Sequence, residues 1–122
     1  MLPAEHRLRR STEFTEVVRR GRRASRPLLT VHLLAAPAGT TAGPVRAGLV
    51  VSKGVGGSVM RSRTSRRLRH LLRDRLDAVP AGSRLVVRAS TTSGAAPSAA
   101  LAVDLDAALA QAVRPRSPRS SR

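Results

Sequence analysis

The sequence predicts an α+β fold in which a small, mainly antiparallel sheet carries helices packed on it. Apolar residues recur at helical spacing in three segments, and three shorter segments read as strands, of which the one at 28–34 alternates between two faces. The order helix, two strands, helix, strand, helix is typical of a split βαβ domain, and we expect the helices to cover one face of the sheet. The 122 residues suit one small domain. We assign it to residues 1–113 and expect the Ser-, Pro- and Arg-rich segment 114–122 to be a disordered basic tail.

The first helix is predicted over residues 12–20. Ser11 is the expected N-cap, since its hydroxyl can accept a hydrogen bond from a free N–H of the first turn. Gly21 is expected to end the helix at the C′ position, where glycine commonly adopts the left-handed conformation. One face of this helix is apolar at helical spacing and consists of Phe14, Val17 and Val18.

Three strands are predicted. The first covers residues 28–34, in which successive side chains point to opposite faces, and the second covers residues 46–52. A Gly-, Ala- and Thr-rich connector at 37–44 separates these two strands, which we therefore expect to form an antiparallel hairpin. The third strand is predicted at 85–89.

The central helix is predicted to follow the glycine-rich turn at 53–57, with Ser58 as its N-cap, and to stop at Pro80. Arginines occupy one of its sides, and the opposite side is apolar, with Leu68, Leu71, Leu72, Leu76 and Val79. A last helix is predicted to begin near Ser98. Its apolar stripe consists of Leu101, Leu105, Leu109 and Val113.

The charge of the chain indicates a polyanionic partner. The sequence has 23 Lys and Arg residues against 7 Asp and Glu residues, for a formal net charge of +16. Each phosphate that such a surface neutralises releases counterions, so nucleic acid is the partner from which it gains most affinity. The charge is concentrated between Arg61 and Arg75, where the sequence has seven arginines and one acid, Asp74. An ordinary solvated helix face is the alternative, but such faces usually mix both signs of charge.

Several classes of site are excluded or disfavoured. The sequence has no cysteine, which excludes disulfides and cysteine-based zinc sites. Lys53 precedes the glycines instead of following them, so the phosphate-binding loop of nucleoside triphosphatases does not fit. The histidines His6, His32 and His70 show no metal-ligand spacing, and acids are too sparse for a carboxylate hydrolase. We therefore expect the protein itself to contain no catalytic centre.

The sequence also bears on location and on the one aromatic residue. No signal peptide is visible and no apolar run approaches the roughly 18 residues that span a bilayer, so we expect a cytoplasmic protein without a membrane partner. Phe14 has two possible places. It can anchor the first helix in the core, which is the more common case, or it can be a partly exposed ring that lines a groove between that helix and the sheet.

Four segments, in order, resemble the protein subunit of bacterial ribonuclease P. The resemblance covers about residues 8–113, and its order and spacing make it specific. The segments that carry it are Arg7-Leu8-Arg9-Arg10-Ser11 with Glu13-Phe14, Gly48-Leu49-Val50-Val51-Ser52-Lys53 with Val55-Gly56, Met60-Arg61-Ser62-Arg63 with Arg66-Arg67-Leu68-Arg69, and Leu85-Val86-Val87-Arg88-Ala89.

The resemblance implies a βαβ fold with a left-handed crossover, shared with a domain of the small ribosomal subunit. It implies an accessory subunit of an endoribonuclease whose chemistry is carried by the RNA. The partners would be that catalytic RNA and precursor tRNA. The protein would contact the 5′ leader and help the complex use Mg²⁺, held through the RNA and not by a protein site, and cleavage would yield the mature 5′ end of the tRNA.

The resemblance also implies two groups of site residues. The residues implied to contact the catalytic RNA are Lys53, Arg61, Ser62, Arg63, Arg66, Arg67 and Arg69. The leader-binding cleft would contain Phe14, Val18 and His32. The sequence departs from the family pattern at Ser62, which replaces a hallmark Asn, at Ser65, which replaces a basic residue, and at Gly54, which replaces a second lysine.

Two other functions stay open on the sequence. A ribosomal or general structural RNA-binding protein, with no role in cleavage, would have the same charge pattern. A DNA-binding protein could place the arginine helix in a groove, but the sequence shows no second helix arranged as in a helix-turn-helix. We therefore do not expect DNA as a partner.

Overall fold

The computed structural model describes Leu8 and residues 10–36 and 43–113. Short 3-10 turns occur at Lys53–Val55, Leu76–Ala78 and Ser93–Ala95. The α+β class predicted from the sequence is confirmed, while the tail at 114–122 and most of the connector at 37–44 lie outside the described residues. The helices and strands, in chain order, are α1 (Ser11–Arg20), β1 (Arg22–Ser25), β2 (Leu29–Leu34), β3 (Arg46–Val50), α2 (Ser58–Arg73), β4 (Arg84–Ala89) and α3 (Ser98–Val113).

The four strands form one sheet in the order β1-β2-β4-β3. β2 is antiparallel to both of its neighbours, whereas β3 runs parallel to β4. Since parallel strands need a long crossover, β3, α2 and β4 form the βαβ unit of the fold. The predicted hairpin of the strands at 28–34 and 46–52 is wrong, because β4 lies between β2 and β3.

The hairpin partner of β2 is β1, a strand that the sequence pattern does not reveal. Ala24 is the one apolar residue among its four, so no alternation is visible. Pairing with β2 places Ala24 opposite Val31, and Ala24 is fully buried. The strand therefore forms through its partner and not through its own hydrophobicity.

Helices cover both faces of the sheet, so the expectation of one covered face is wrong. One core joins α2 and α3 to the side chains of Leu29, Val31 and Leu33 on β2 and of Leu85 and Val87 on β4. Of the stripe predicted for the last helix, Leu105 and Leu109 are buried in this core and Val113 packs against it, while Leu101 is fully buried outside this cluster. The second layer is needed because successive residues of β4 point to opposite faces of the sheet. Leu85 and Val87 enter the first core, whereas Val86 points to the other face and must be covered there.

The second core lies beneath α1. It consists of the buried residues Leu8, Val17 and Val86, and Phe14 and Val18 pack against it. Val86 is fully buried like its neighbours in β4, which an exposed sheet face would not allow. α1 therefore completes the fold by covering the face that α2 and α3 leave open.

The helix boundaries differ from the predicted ones in small ways. Ser11 and Ser58 are the first residues of their helices and not N-caps, and neither helix start has a side-chain cap hydrogen bond. α2 ends at Arg73 and not at the predicted Pro80. A 3-10 turn follows it, and because that turn has three residues per revolution, Leu76 and Val79 still lie on the same side and reach the core. No helix in the part of the chain that the structure describes is long and apolar enough to cross a membrane.

Gly21 ends α1 as predicted, but in an extended conformation with φ −78° and ψ 167°. Glycine is required here for a different reason, which is close approach. A Cβ atom at this position would lie 2.5 Å from the carbonyl oxygen of Val17 and 2.8 Å from that of Leu33. Both atoms belong to the backbone, so neither can move aside cheaply.

We expect Gly21→Ala to lower the free energy of unfolding by about 1–3 kcal/mol, since α1 must shift away from β2. Urea denaturation measures this change. Gly43→Ala is the matched control, because nothing lies within 4 Å of the added methyl group. That variant should be neutral or more stable by up to about 1 kcal/mol, and equal losses in the two variants would contradict the role of close approach.

Candidate nucleic-acid interface

α2 packs one side against the sheet and turns an arginine-rich side outward. Thr64, Leu68 and Leu72 are its buried residues. In the described ranges, no carboxylate forms an ion pair with the basic residues that the resemblance assigns to α2 and its preceding turn. Of the assigned residues, the exposed ones are Lys53, Ser62, Arg63 and Arg66, and the partly buried ones are Arg61, Arg67 and Arg69.

Two of these arginines are partly used within the protein. Arg67 donates a hydrogen bond to the carbonyl oxygen of Ala96, and Arg69 Nη2 donates to Ser65 Oγ at 3.0 Å. Arg63 makes only a weak contact, from Nη2 to the sulfur of Met60 at 3.5 Å. Of the assigned arginines, Arg63 and Arg66 are therefore the most available, and Lys53 is exposed as well.

The position of α2 is set by the loops that follow the two parallel strands. Because β3 and β4 run in the same direction, the loops that follow them leave the sheet at the same end of the strands. Met60 packs between these loops, and a Cβ at either Gly56 or Gly94 would lie 2.8 Å from Met60 Cγ. Gly56 also has φ 152°, a conformation that side chains other than glycine rarely adopt. Together with the hydrogen bond from Arg67 to Ala96, these contacts hold α2 against the loops at that end of the sheet.

A second basic surface crosses the opposite face of the sheet. We call it the sheet strip, and it consists of Arg23, Ser25, Thr30, His32 and Arg88. Strand register aligns these residues, since Arg23 pairs with His32, and Thr30 pairs with both Ser25 and Arg88. They share the face that carries α1, because they alternate with the residues of the first core.

Two glutamates of α1 neutralise part of the charge on this face. Arg46 and Arg84 pair in register on β3 and β4. Arg46 forms an ion pair with Glu13, and Arg84 Nη1 lies 2.8 Å from Glu16 Oε1. In the described part of the chain, Arg23 and Arg88 have no ion pair and are exposed, so they carry the remaining charge of this face.

The structure places on one face of the sheet the three residues that the resemblance assigns to a leader cleft, but it records no contact of His32 with the other two. Phe14 and Val18 pack from α1 against the second core, and His32 points to the same face from β2. Phe14 is partly buried and lies over Gly48, where a Cβ would be 2.2 Å from its ring. The ring thus packs against the second core and also lines a small pocket beside Gly48.

His32 is buried in a positively charged setting. It is 4% exposed, and its Nδ1 atom has no hydrogen-bond partner. Burial lowers the pKa of its imidazole below the ordinary value, and the charges of Arg88 and Arg23 lower the pKa further. His32 is therefore neutral at pH 7, and the positive charge of the sheet strip comes from the arginines.

Sequence reasoning missed most of the sheet strip. Arg88 could have been found, because alternation along the predicted strand 85–89 places it opposite the core residue Val87. Arg23 and Ser25 could not, since the four residues of β1 carry no strand pattern. Their role depends on pairing with β2.

His32→Gln should reduce the loss of stability on acidification. In the unfolded chain the imidazole of His32 is protonated below its ordinary pKa of 6.5, whereas in the folded chain its lowered pKa keeps it neutral to a lower pH. The free energy of unfolding therefore falls as the pH drops from about 7.5 to about 5.5. Urea denaturation at both pH values measures this, with His70→Gln on the surface of α2 as the control. The same pH dependence in His32→Gln and in the unaltered protein would contradict the burial of a neutral imidazole.

Comparison with known proteins shows which family this chain is similar to. A family model described as ribonuclease P matches residues 2–113. A relative named ribonuclease P protein component from Streptomyces avermitilis is 58% identical over 115 residues, which cover 89% of this chain and 93% of the relative. The protein of the same name from Salinispora tropica is 48% identical over 135 residues and covers 98% and 99%.

Solved structures agree in fold. The RNase P protein of Staphylococcus aureus superimposes with a TM-score of 0.75 at 17% identity, over 89% of this chain and 98% of that chain. The RNase P protein of Thermotoga maritima gives a TM-score of 0.71 at 19% identity, over 91% and 98%. Since the family model spans most of the sequence and the curated relatives are close, the chain belongs to the family of ribonuclease P protein components.

Proposed function

We propose that the chain binds the catalytic RNA of ribonuclease P through the arginine side of α2 and the 5′ leader of precursor tRNA through the sheet strip. Membership of the family makes it a subunit of a ribonuclease holoenzyme with an RNA partner. The observation that carries the proposal is the separation of the two basic surfaces. They lie on opposite faces of one sheet, so two RNA partners can bind at the same time.

The chemistry of α2 suits a structured RNA. Guanidinium groups bind phosphate oxygens in a fork, and their spacing along a rigid helix follows a folded backbone better than a mobile strand. The exposed Arg63 and Arg66 supply such groups, and Lys53 lies in the turn before the helix. Ser62 can offer a hydroxyl where the family pattern has an amide.

The chemistry of the sheet strip suits a single strand. Arg23 and Arg88 provide separated positive charges, and Ser25 and Thr30 provide hydroxyl groups between them. Phe14 provides the one aromatic surface of the chain for contact with a base. A leader that extends from a tRNA is a single strand of this kind.

The proposal assigns Mg²⁺ and the cleavage step to the RNA. The donor set of the described residues does not fit a magnesium site, since no three His, Asp or Glu side chains come together. Glu16, Asp104 and Asp106 are each paired with arginine. The protein would act by holding the substrate and by lowering repulsion between two RNAs. We place the complex in the cytoplasm, and the sequence has no cysteine that would require an oxidising compartment.

Reconstitution tests the function directly. The chain alone should not cleave precursor tRNA, and together with its cognate catalytic RNA it should restore cleavage at low Mg²⁺ concentration. It should also favour precursor over mature tRNA and structured RNA over duplex DNA. Absence of stimulation, together with equal binding of precursor and mature tRNA, would support a general RNA-binding protein instead.

Arg63→Ala and Arg66→Ala should each weaken binding of the catalytic RNA and flatten its salt dependence. The slope of log affinity against log salt should fall by about one unit for each phosphate that the variant no longer neutralises. Filter binding over a range of salt concentrations measures the slope. A slope that stays the same in both variants would show that these side chains are only solvated.

Arg88→Ala should weaken binding of precursor tRNA and leave the affinity for mature tRNA unchanged, because only the precursor has a leader. We expect a loss of roughly fivefold to tenfold in precursor affinity of the holoenzyme, as befits one charged contact. Arg19→Ala removes the same charge from an exposed position on α1, outside the strip, and is the control. Equal losses for both tRNAs in Arg88→Ala would argue against leader binding at the strip.

A further inference from the structure

A small pocket lies at the outer edge of β3, between α1 and α2. Its volume is about 230 Å³. β3 is an edge strand, so α1 on one face of the sheet and α2 on the other both reach around it. The described residues that line it are Leu8, Phe14, Ala47, Gly48, Leu49, Ser65 and Arg69.

The apolar walls of this pocket are held in place. The ring of Phe14 lies directly on Gly48, since any larger residue there would overlap it. Leu8 is 7% exposed, and its N–H donates to the carbonyl oxygen of Ala47 at 3.0 Å. The pocket is smaller than the roughly 300 Å³ at which sites for drug-sized ligands begin, so it suits one planar ring system.

The polar groups of the pocket are the side chains of Arg69 and Ser65 and the backbone groups at the outer edge of β3. Arg69 Nη2 donates to Ser65 Oγ at 3.0 Å, which orients the guanidinium and leaves its other N–H groups for a ligand. Alternate residues of a strand direct their N–H and C=O groups to the same side. Because the Ala47 carbonyl faces the outer edge, the N–H and C=O of Leu49 face that edge too. None of the described residues that line the pocket carries a carboxylate.

We propose that this pocket takes one unstacked nucleobase of an RNA partner, with guanine preferred. The inference rests on the RNA-binding function proposed above. An arginine fork matches the O6 and N7 acceptors of guanine, and an aromatic ring beside it offers a surface for the base. The base could come from the catalytic RNA or from the leader, because the pocket is lined by Arg69, which the resemblance assigns to the catalytic RNA, and by Phe14, which it assigns to the leader cleft.

A fluorine label on Phe14 tests the pocket. The chain has one phenylalanine, so growth with 4-fluorophenylalanine gives a single ¹⁹F resonance. Titration with guanosine 5′-monophosphate should shift this resonance in a saturable way, more strongly than cytidine 5′-monophosphate does. Ribose 5-phosphate, which carries the phosphate without a base, should leave it in place.

Three variants separate base recognition from general charge. Arg69→Ala should weaken the guanosine monophosphate response roughly tenfold or more. Ser65→Lys adds a positive charge but fills the pocket, so it should abolish the response even though electrostatic attraction rises. Arg73→Ala removes an exposed arginine of the same helix that does not line the pocket, and its response should match that of the unaltered chain.

Competition identifies the source of the base. If the catalytic RNA supplies it, adding that RNA alone should block the guanosine monophosphate shift. If the leader supplies it, the block should require precursor tRNA, and mature tRNA should not suffice. A response that ribose 5-phosphate reproduces, that Ser65→Lys retains, or that neither RNA blocks would overturn the proposal. Stimulation of cleavage in the reconstituted complex would then still stand, since that assay does not depend on the pocket.

Discussion

A chain of 122 residues with a net charge of +16 must fold while its cations repel one another. The few carboxylates are placed where arginines meet packed elements. The described pairs that join different elements are Glu13 with Arg46, Glu16 with Arg84, Asp104 with Arg26, and Asp106 with Arg75. Such pairs are partly exposed and each contributes about 1 kcal/mol or less. Their larger consequence is where the positive charge remains. They neutralise arginines at the junctions between elements, so the net positive charge stays on the outward side of α2 and on the sheet strip.

Asp104 shows how this placement also shapes the backbone. It is 8% exposed on α3, and its Oδ2 accepts a hydrogen bond from the N–H of Leu28 at 2.9 Å. That bond holds the turn between β1 and β2 against α3, while Arg26 lies 3.8 Å from the other carboxylate oxygen. The same turn sets the register that aligns Arg23 and Ser25 with β2. One buried acid on the last helix thus supports a basic surface on the far side of the sheet.

Local pattern predicted the elements better than their pairing. The alternation of β2, the short apolar run of β4 and the leucine stripe of α3 are local properties of the chain, and the structure confirms these three elements. The order β1-β2-β4-β3 is not local, because it depends on β4 entering between two strands that precede it. The second core depends on the same event, since α1 has a sheet face to cover only after Val86 is in place.

The two parts of the candidate site were predictable to different degrees. The arginines of α2 are close together in the sequence and share one helix, so charge and periodicity suffice to find them. The sheet strip gathers residues of three strands, one of which has no pattern of its own. Phe14 was predictable in part. Its helical spacing predicts that it packs against the protein, but its position above Gly48 and beside the outer edge of β3 depends on the strand order.

The central claim is that the two faces of the sheet serve two different RNAs. Because the sequence has no cysteine, a single one can be introduced at position 66 or at position 88 and labelled with a photoactivatable crosslinker. In the complex of protein, catalytic RNA and precursor tRNA, the label at position 66 should crosslink to the catalytic RNA and the label at position 88 to the leader. Crosslinks from both positions to the same RNA, or the reverse assignment, would contradict the account.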